Sequence, residues 1–199
     1  MFKTDDVYDN FYIVYDELSK KLDIDMKNSV AFYPLKSVKN KELKNLETWL
    51  LDALKRQPEL LLEQHPVTQI NIGMLCACLG FESTVIKALR NPIIATQRDK
   101  NGANIGMYAA RAGLEKATIV ALDDEVAQLQ QDYVLKCNIG MFAAQSNMEK
   151  ACLKALDNTY AIMQRDVFGK NIKMYCDQNH LELATSKATN DTEEAEATE

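Results

Sequence analysis

One heptapeptide recurs four times in this chain and constrains its fold more than any other feature. It reads Asn71-Ile-Gly-Met-Leu-Cys-Ala77, Asn104-Ile-Gly-Met-Tyr-Ala-Ala110, Asn138-Ile-Gly-Met-Phe-Ala-Ala144 and Asn171-Ile-Lys-Met-Tyr-Cys-Asp177, at spacings of 33, 34 and 33 residues. A constant period of this size marks a supersecondary unit copied along the chain, each copy too small to bury its own apolar faces. The recurrence extends past the heptapeptide. An apolar residue and a glutamate follow it, at Phe81-Glu82, Leu114-Glu115, Met148-Glu149 and Leu181-Glu182. A second apolar run then ends in Ala88-Leu89, Ala121-Leu122 or Ala155-Leu156. The last three heptapeptides are preceded by Gln97-Arg98-Asp99, Gln130-Gln131-Asp132 and Gln164-Arg165-Asp166.

The residues of one unit dictate its local structure. Asparagine before Ile-Gly-Met is a good helix N-cap, because its side chain accepts a hydrogen bond from an orphan backbone N–H. The small apolar residues that follow suit a short helix packed closely on its neighbours. Gly80, Gly113 and Asn147 sit where that helix ends, and both residue types tolerate the left-handed turn required there. Val85, Ile86 and Leu89, Ile119, Val120 and Leu122, and Leu153 and Leu156 then fall at helical spacing. About 14 residues lead from each second helix to the next cap. With only 4 prolines and 7 glycines in 199 residues, and 47% apolar residues, the chain reads as all-α. A helix pair cannot bury both faces by itself, so neighbouring pairs must stack into a solenoid.

The stretch Asp99-x-x-Gly102-x-Asn104-Ile-Gly-Met107-x-Ala109-Ala110-x-x-Gly113 resembles the ankyrin repeat. The Asp, Gly, Ala-Ala and turn Gly match in place. The family's Thr-Pro-Leu-His box is replaced here by Asn-Ile-Gly-Met, so Met74, Met107 and Met141 stand where the family has histidine. Apolar packing is expected to take over from that residue's hydrogen bonds. The resemblance covers roughly residues 64–188. It implies an ankyrin-like solenoid of helix-turn-helix repeats beginning near 71, 104, 138 and 171, and a protein-binding role through the concave face and loop tips.

Outside the repeats, residues 48–70 read as a degenerate half repeat carrying Trp49 and Ala53-Leu54. Residues 1–47 read as an N-terminal helical cap, since Val7, Phe11, Val14, Leu18 and Leu22 fall at helical spacing near 5–22. Its Tyr8, Tyr12 and Tyr15 offer either packing or a contact patch. Residues 189–199 hold no large apolar side chain and read as a disordered acidic tail. The cluster Glu193, Glu194 and Glu196 resembles the C-terminal signals of type IV-secreted effectors of intracellular bacteria, many of which carry ankyrin repeats.

Several classes of chemistry are not expected. A net charge of −6 opposes nonspecific nucleic-acid binding. No apolar stretch is long enough to span a membrane. Cys76, Cys78, Cys137, Cys152 and Cys176 lie in apolar, periodic segments and read as reduced core thiols of a cytosolic protein. Cys76-x-Cys78 lacks a second pair, so neither metal nor cofactor is expected. With His65 and His180 the only histidines, no nucleophile–base constellation emerges, and the chain reads as non-enzymatic.

The expected activity is therefore capture of another protein by a monomeric module. One version is an effector acting on a host protein after secretion into the host cytosol, and the alternative is a regulator or inhibitor of an enzyme in the same cell. Positions that vary while the frame repeats are the candidate contacts: Lys100 and Asn101, Tyr133 and Val134, and Val167 and Phe168 after each loop aspartate, with Arg111, Gln145 and Gln178 after each first helix. Tyr133 and Phe168 stand out, because aromatic side chains are favoured anchors at interfaces. Tyr108, Phe142 and Tyr175 recur in register and read as structural.

Overall fold

A computed structural model describes residues 6–22 and 40–187. The acidic tail from 189 onward, with Glu193, Glu194 and Glu196, lies outside the described residues, as do 1–5 and 23–39 of the N-terminal region. The chain is all-α, and no strand forms among the described residues. Helices α1 (Val7–Leu22) and α2 (Asn40–Arg56) precede a single 3₁₀ turn, Pro58–Leu61. Three triplets follow: α3 (Ile72–Leu79), α4 (Glu82–Leu89) and α5 (Pro92–Thr96); α6 (Ile105–Arg111), α7 (Glu115–Ala121) and α8 (Glu125–Leu129); α9 (Ile139–Gln145), α10 (Glu149–Ala155) and α11 (Thr159–Met163). Helix α12 (Ile172–Gln178) and a helical segment over 182–187 open a fourth unit. First helices pack on first helices (α3 on α6, α6 on α9, α9 on α12), and second on second (α4 on α7, α7 on α10).

The connecting stretch is where structure and sequence reading differ. It holds a third helix of one turn in each complete unit, not a plain loop. Its caps are Asn and Asp side chains: Asn91 accepts from Ile93 N, Asp124 from Val126 N and Ala127 N, and Asn158 from Tyr160 N and Ala161 N. An Asx cap needs only one side-chain oxygen, so a helix this short forms once tertiary packing buries Ile94, Ala95, Ala127 and Ala161.

Each position of the heptapeptide has a separate physical reason. The asparagines Asn71, Asn104, Asn138 and Asn171 cap their helices by accepting from Met74, Met107, Met141 and Met174 N. The isoleucine and the glycine form a joint between units. A Cβ on Gly106 would lie 2.5 Å from Ile139 Cδ1 and 2.7 Å from Ala121 Cβ, and one on Gly140 would lie 2.7 Å from Ile172 Cδ1 and 2.8 Å from Ala155 Cβ. Gly73 receives Ile105 Cδ1 in the same way, at 2.5 Å, with Ala88 Cβ looser at 3.3 Å. Each isoleucine thus fills a socket that only glycine leaves open in the preceding unit. In the fourth heptapeptide lysine replaces glycine and Asp177 replaces alanine, positions that cannot receive a close apolar neighbour. Met174 is accordingly 45% exposed, whereas Met74, Met107 and Met141 are fully buried.

Hydrogen bonds cross every unit boundary. The second helices lack side-chain caps of their own at Phe81, Leu114 and Met148. From α7 onward the preceding unit supplies the acceptor: Glu82 accepts from Lys116 N (3.0 Å), Glu115 from Lys150 N (3.2 Å) and Glu149 from Leu183 N (2.9 Å). A relay runs through the repeated glutamines. Asn71, Asn104 and Asn138 donate to Gln97, Gln130 and Gln164 at 2.7–2.8 Å. Those amides in turn donate back to the carbonyls of Leu62, Thr96 and Leu129 in the unit before. The Asn–Gln relay thus adds polar cross-links at the base of the loops to the apolar packing of the buried methionines.

At the N-terminal end α1 lies against α3, in the place a first helix occupies elsewhere, and buries Phe11, Val14, Tyr15 and Leu18. Trp49 on α2 is half-buried against the core. Tyr15 donates to or accepts from Thr68 Oγ1 (3.1 Å), while Tyr8 stays 50% exposed. His65 takes the loop position that aspartate holds in the later units. Its Nδ1 accepts from Thr68 N (3.3 Å), and its ring stacks on Tyr15 at 4.8 Å and meets the edge of Tyr12 at 5.9 Å. Burial lowers its pKa and Asp16 opposes that shift.

Two predictions follow from these contacts. In urea unfolding, Gly106→Ala should lose about 1–3 kcal/mol, because Ala121 Cβ is fixed to backbone and cannot rotate away; the helix-propensity gain of about 1 kcal/mol is smaller. Gly73→Ala should cost less, and Lys173→Ala should be near neutral. The second concerns pH. A histidine whose folded pKa is lowered stabilises the fold fully above its unfolded pKa of about 6.5, and that contribution fades as pH falls toward the folded value. Melting temperature and amide protection in α1 should therefore fall as pH drops below about 6.5. His65→Asp, which restores the acceptor used by the other loops, should flatten that dependence.

Candidate functional site

The loops are rigid because their aspartates organise them from inside. Asp99 Oδ1 accepts from Asn101 N (2.9 Å) and Ala103 N (2.8 Å), and its Oδ2 from the Tyr108 hydroxyl (2.7 Å). Asp166 repeats this with Phe168 N (2.9 Å), Lys170 N (2.7 Å) and the Tyr175 hydroxyl (2.5 Å). The middle loop carries Phe142, which has no hydroxyl, and it is one residue longer. There Asp132 accepts from Val134 N (2.9 Å) and Leu135 N (2.7 Å), and Cys137 N (2.8 Å) replaces the phenol. Burial alone would raise the pKa of Asp166, but the Tyr175 hydroxyl and the Lys170 and Phe168 amides outweigh it and lower it. The aromatic series thus has a structural role, and Tyr108 is pushed well above the usual phenol range by burial.

Adjacent loops are also tied to one another. Lys100 N donates to Thr68 O (3.0 Å), Tyr133 N to Asn101 O (2.7 Å) and Val167 N to Leu135 O (2.9 Å). A second ladder uses the residue before each aspartate: Gln64 donates to Arg98 O (3.0 Å), Arg98 to Gln131 O, and Gln131 to Arg165 O (3.1 Å). The outcome is a row of four short loops, at 65–70, 99–103, 132–137 and 166–170, with polar groups directed inward and tips outward.

The structure places the sequence-derived candidates as follows. Phe168 is 72% exposed at its tip, with Val167 and Val134 each 52% exposed beside the row. Tyr133 is 56% exposed but not free-standing: Arg98 covers one face at 4.4 Å from the ring centroid, and the ring lies over Gly102. Lys100 is exposed and Asn101 half-buried. Asn101, Arg111 and Val134 are brought together, with Ala103, Leu135, Asp99 and Asp132, around a cavity of about 130 Å³ between the loops and α6. Arg111 also stacks over Phe142 at 5.2 Å. Gln145 lies against Cys137 in the next groove, and Gln178 accepts from Lys170 Nζ at 3.3 Å. These residues form one surface, with loop tips along one edge and Arg111, Gln145 and Gln178 along its floor.

Sequence reading missed two features. Val67, 72% exposed, continues the row of tips into the His65 loop. Ile93, Val126 and Tyr160, each at least 61% exposed, form a second column on the one-turn helices. Their spacing of 33 and 34 residues was a signal, hidden because the segment did not read as helix.

All five thiols are free, and Cys152 and Cys176 are hydrogen-bonded to each other, which lowers the pKa of Cys176. Cys76, Cys78 and Cys137 are free thiols whose pKa is raised by burial, to about 12 for the latter two. His180 is an exposed turn residue at φ 56°, in the place that Gly80, Gly113 and Asn147 hold in the other units. Among the described residues no group of three His, Cys, Asp or Glu side chains could hold a metal ion, and no helix is long and apolar enough to cross a membrane. No family model and no curated protein matches this chain.

Tyr108→Phe should cost about 1–3 kcal/mol in chemical denaturation, because it strips a donor from the buried Asp99 carboxylate. Phe142→Tyr should not show a matching gain, since Asp132 already has three donors.

Proposed function

We propose that this chain is a non-enzymatic protein-binding module, built as an ankyrin-like solenoid that captures its partner along the loop tips and the groove beneath them. The observation that carries this reading is the contrast between frame and tips. Aspartates, glutamines and asparagines of the frame are consumed by internal hydrogen bonds, while Val67, Tyr133, Val134, Val167 and Phe168 stay exposed in a rigid row. Exposed apolar side chains held in register mark interaction surfaces. A preformed row also spares a partner the entropy of ordering loops on binding. The repeat period, the capped first helices and the unit-on-unit packing support the ankyrin-like assignment; the one-turn third helix and the Asn–Gln relay are departures from that pattern. Cys76, Cys78 and Cys137 are buried with raised pKa, which supports a non-enzymatic role for these three, since thiols held protonated are poor nucleophiles.

The glutamate cluster Glu193, Glu194 and Glu196 favours the effector version of this reading, in which the monomer acts in a host cytosol after secretion. The alternative, a regulator of an enzyme in the same cell, makes no use of that cluster. Removing residues 189–199 should leave the melting temperature unchanged and abolish translocation in a reporter-fusion assay; undiminished translocation would sink the effector version.

The binding surface has its own test. Phe168→Ala should weaken partner capture at least tenfold with no change in melting temperature, because the ring is exposed. Tyr133→Ala should weaken capture similarly and also lose up to about 1 kcal/mol of stability from its contact with Arg98. Undiminished capture by the double variant would remove the loop tips from the interface.

A further inference from the structure

We propose that the groove beside the loop tips takes an extended segment of a partner protein in which carboxylates alternate with apolar side chains. This deepens the protein-binding reading and rests on it. The argument starts from how charge is distributed. The chain carries a net charge of −6, yet the face formed by residues 97–112, 130–146 and 164–179 is basic. Its exposed charged side chains are Lys100, Arg111, Lys136 and Arg165, with a single exposed acid, Asp177, at the far end on α12. The other three acids of these segments, Asp99, Asp132 and Asp166, are only 2–6% exposed and are turned onto loop amides and phenols. Elsewhere Lys154 is ion-paired with Asp123 and Lys187 with Asp157. Among the described residues no carboxylate lies within ion-pair distance of the four exposed cations on this face.

The spacing of these cations decides between anionic partners. They come one or two to a unit, separated by Val134, Val167 and Phe168. The cavity at Arg111 holds about 130 Å³ and is walled by Ala103, Val134 and Leu135, with the Asp99 and Asp132 carboxylates in its lining. That space suits one side chain. A nucleic-acid strand presents charge at every phosphate, whereas these cations come one or two to a unit with apolar tips between them. A polypeptide can place a carboxylate at Arg111 and Lys136 and an apolar group over each tip between them. Charge complementarity of this kind sets partner choice and encounter rate.

The test is a fluorescence anisotropy titration of the full chain with three labelled probes: a peptide alternating glutamate with leucine and phenylalanine, the same peptide with lysine for each glutamate, and a single-stranded RNA of equal length. The acidic peptide should bind, lose affinity as salt is raised, and bind at least tenfold more weakly to the Arg111→Glu/Lys136→Glu variant. That variant should stay folded with a slightly lower melting temperature, from the lost contact of Arg111 with Phe142, and the lysine peptide should bind it better than it binds the original chain. Preference of the original chain for the lysine peptide, lost on Phe168→Ala, would overturn the acidic assignment while leaving the protein-binding reading in place. Preference for RNA would overturn both. Acidic-peptide binding indifferent to the charge reversal, or no binding of that peptide, would overturn the assignment to this groove.

Discussion

The structure depends on one steric fact: an isoleucine of each unit occupies the space where the preceding unit has no side chain. Gly73, Gly106 and Gly140 give Ile105, Ile139 and Ile172 their seats, and Ala88, Ala121 and Ala155 close the walls. First helices can then pack nearly backbone to backbone. Unlike the turn glycines, these three are selected for the absence of Cβ and not for their φ. The fourth unit departs from this arrangement. Lysine at position 173 fills the socket, and Asp177 puts charge where Ala110 and Ala144 accept a neighbour.

Close approach makes the polar cross-links possible. With the helices this near, Glu82 reaches the N-terminus of α7, Glu115 that of α10, and the amides of Gln97, Gln130 and Gln164 span a unit boundary. A unit therefore leaves its second helix uncapped until the unit before it has folded. Stability in such an array is carried by nearest-neighbour interfaces, and damage at one interface spreads to the next. The loop tips escape this constraint. The backbones of the later loops are pinned by internal aspartates, so the exposed side chains at 134, 167 and 168 can vary at little cost to the frame. A rigid frame with unconstrained tips is a physical basis for recognition.

Much of this was legible in the sequence because it depends on local chemistry. Asn71, Asn104, Asn138 and Asn171 announced helix starts, Gly80 and Gly113 announced turns, and the buried methionines followed from apolar periodicity. The one-turn helices were not legible. Five residues carry too little periodicity to declare a helix, although Asn91, Asp124 and Asn158 are caps in hindsight. The recurring Gln-(Arg/Gln)-Asp triplets were visible as pattern but not as function. Gln97 acts through an asparagine 26 residues earlier and a carbonyl 35 residues earlier, and sequence spacing shows no such partnership. Tyr133 was singled out as a loop-tip aromatic, but its contact with Arg98 appears only in three dimensions.

The sequence by itself determined the unit, its period, its caps and the positions free of the frame, because these follow from backbone hydrogen-bonding needs and from which residues tolerate a turn. Tertiary structure alone decided what each repeated residue is for. It made the heptapeptide glycine a socket, the glutamate a cap for the next unit, and His65 a stand-in for aspartate. It also gathered Asn101, Arg111 and Val134 around one cavity and left the basic side chains outward while the aspartates turned in. Each of these depends on distances between residues that the chain brings together only after the units stack.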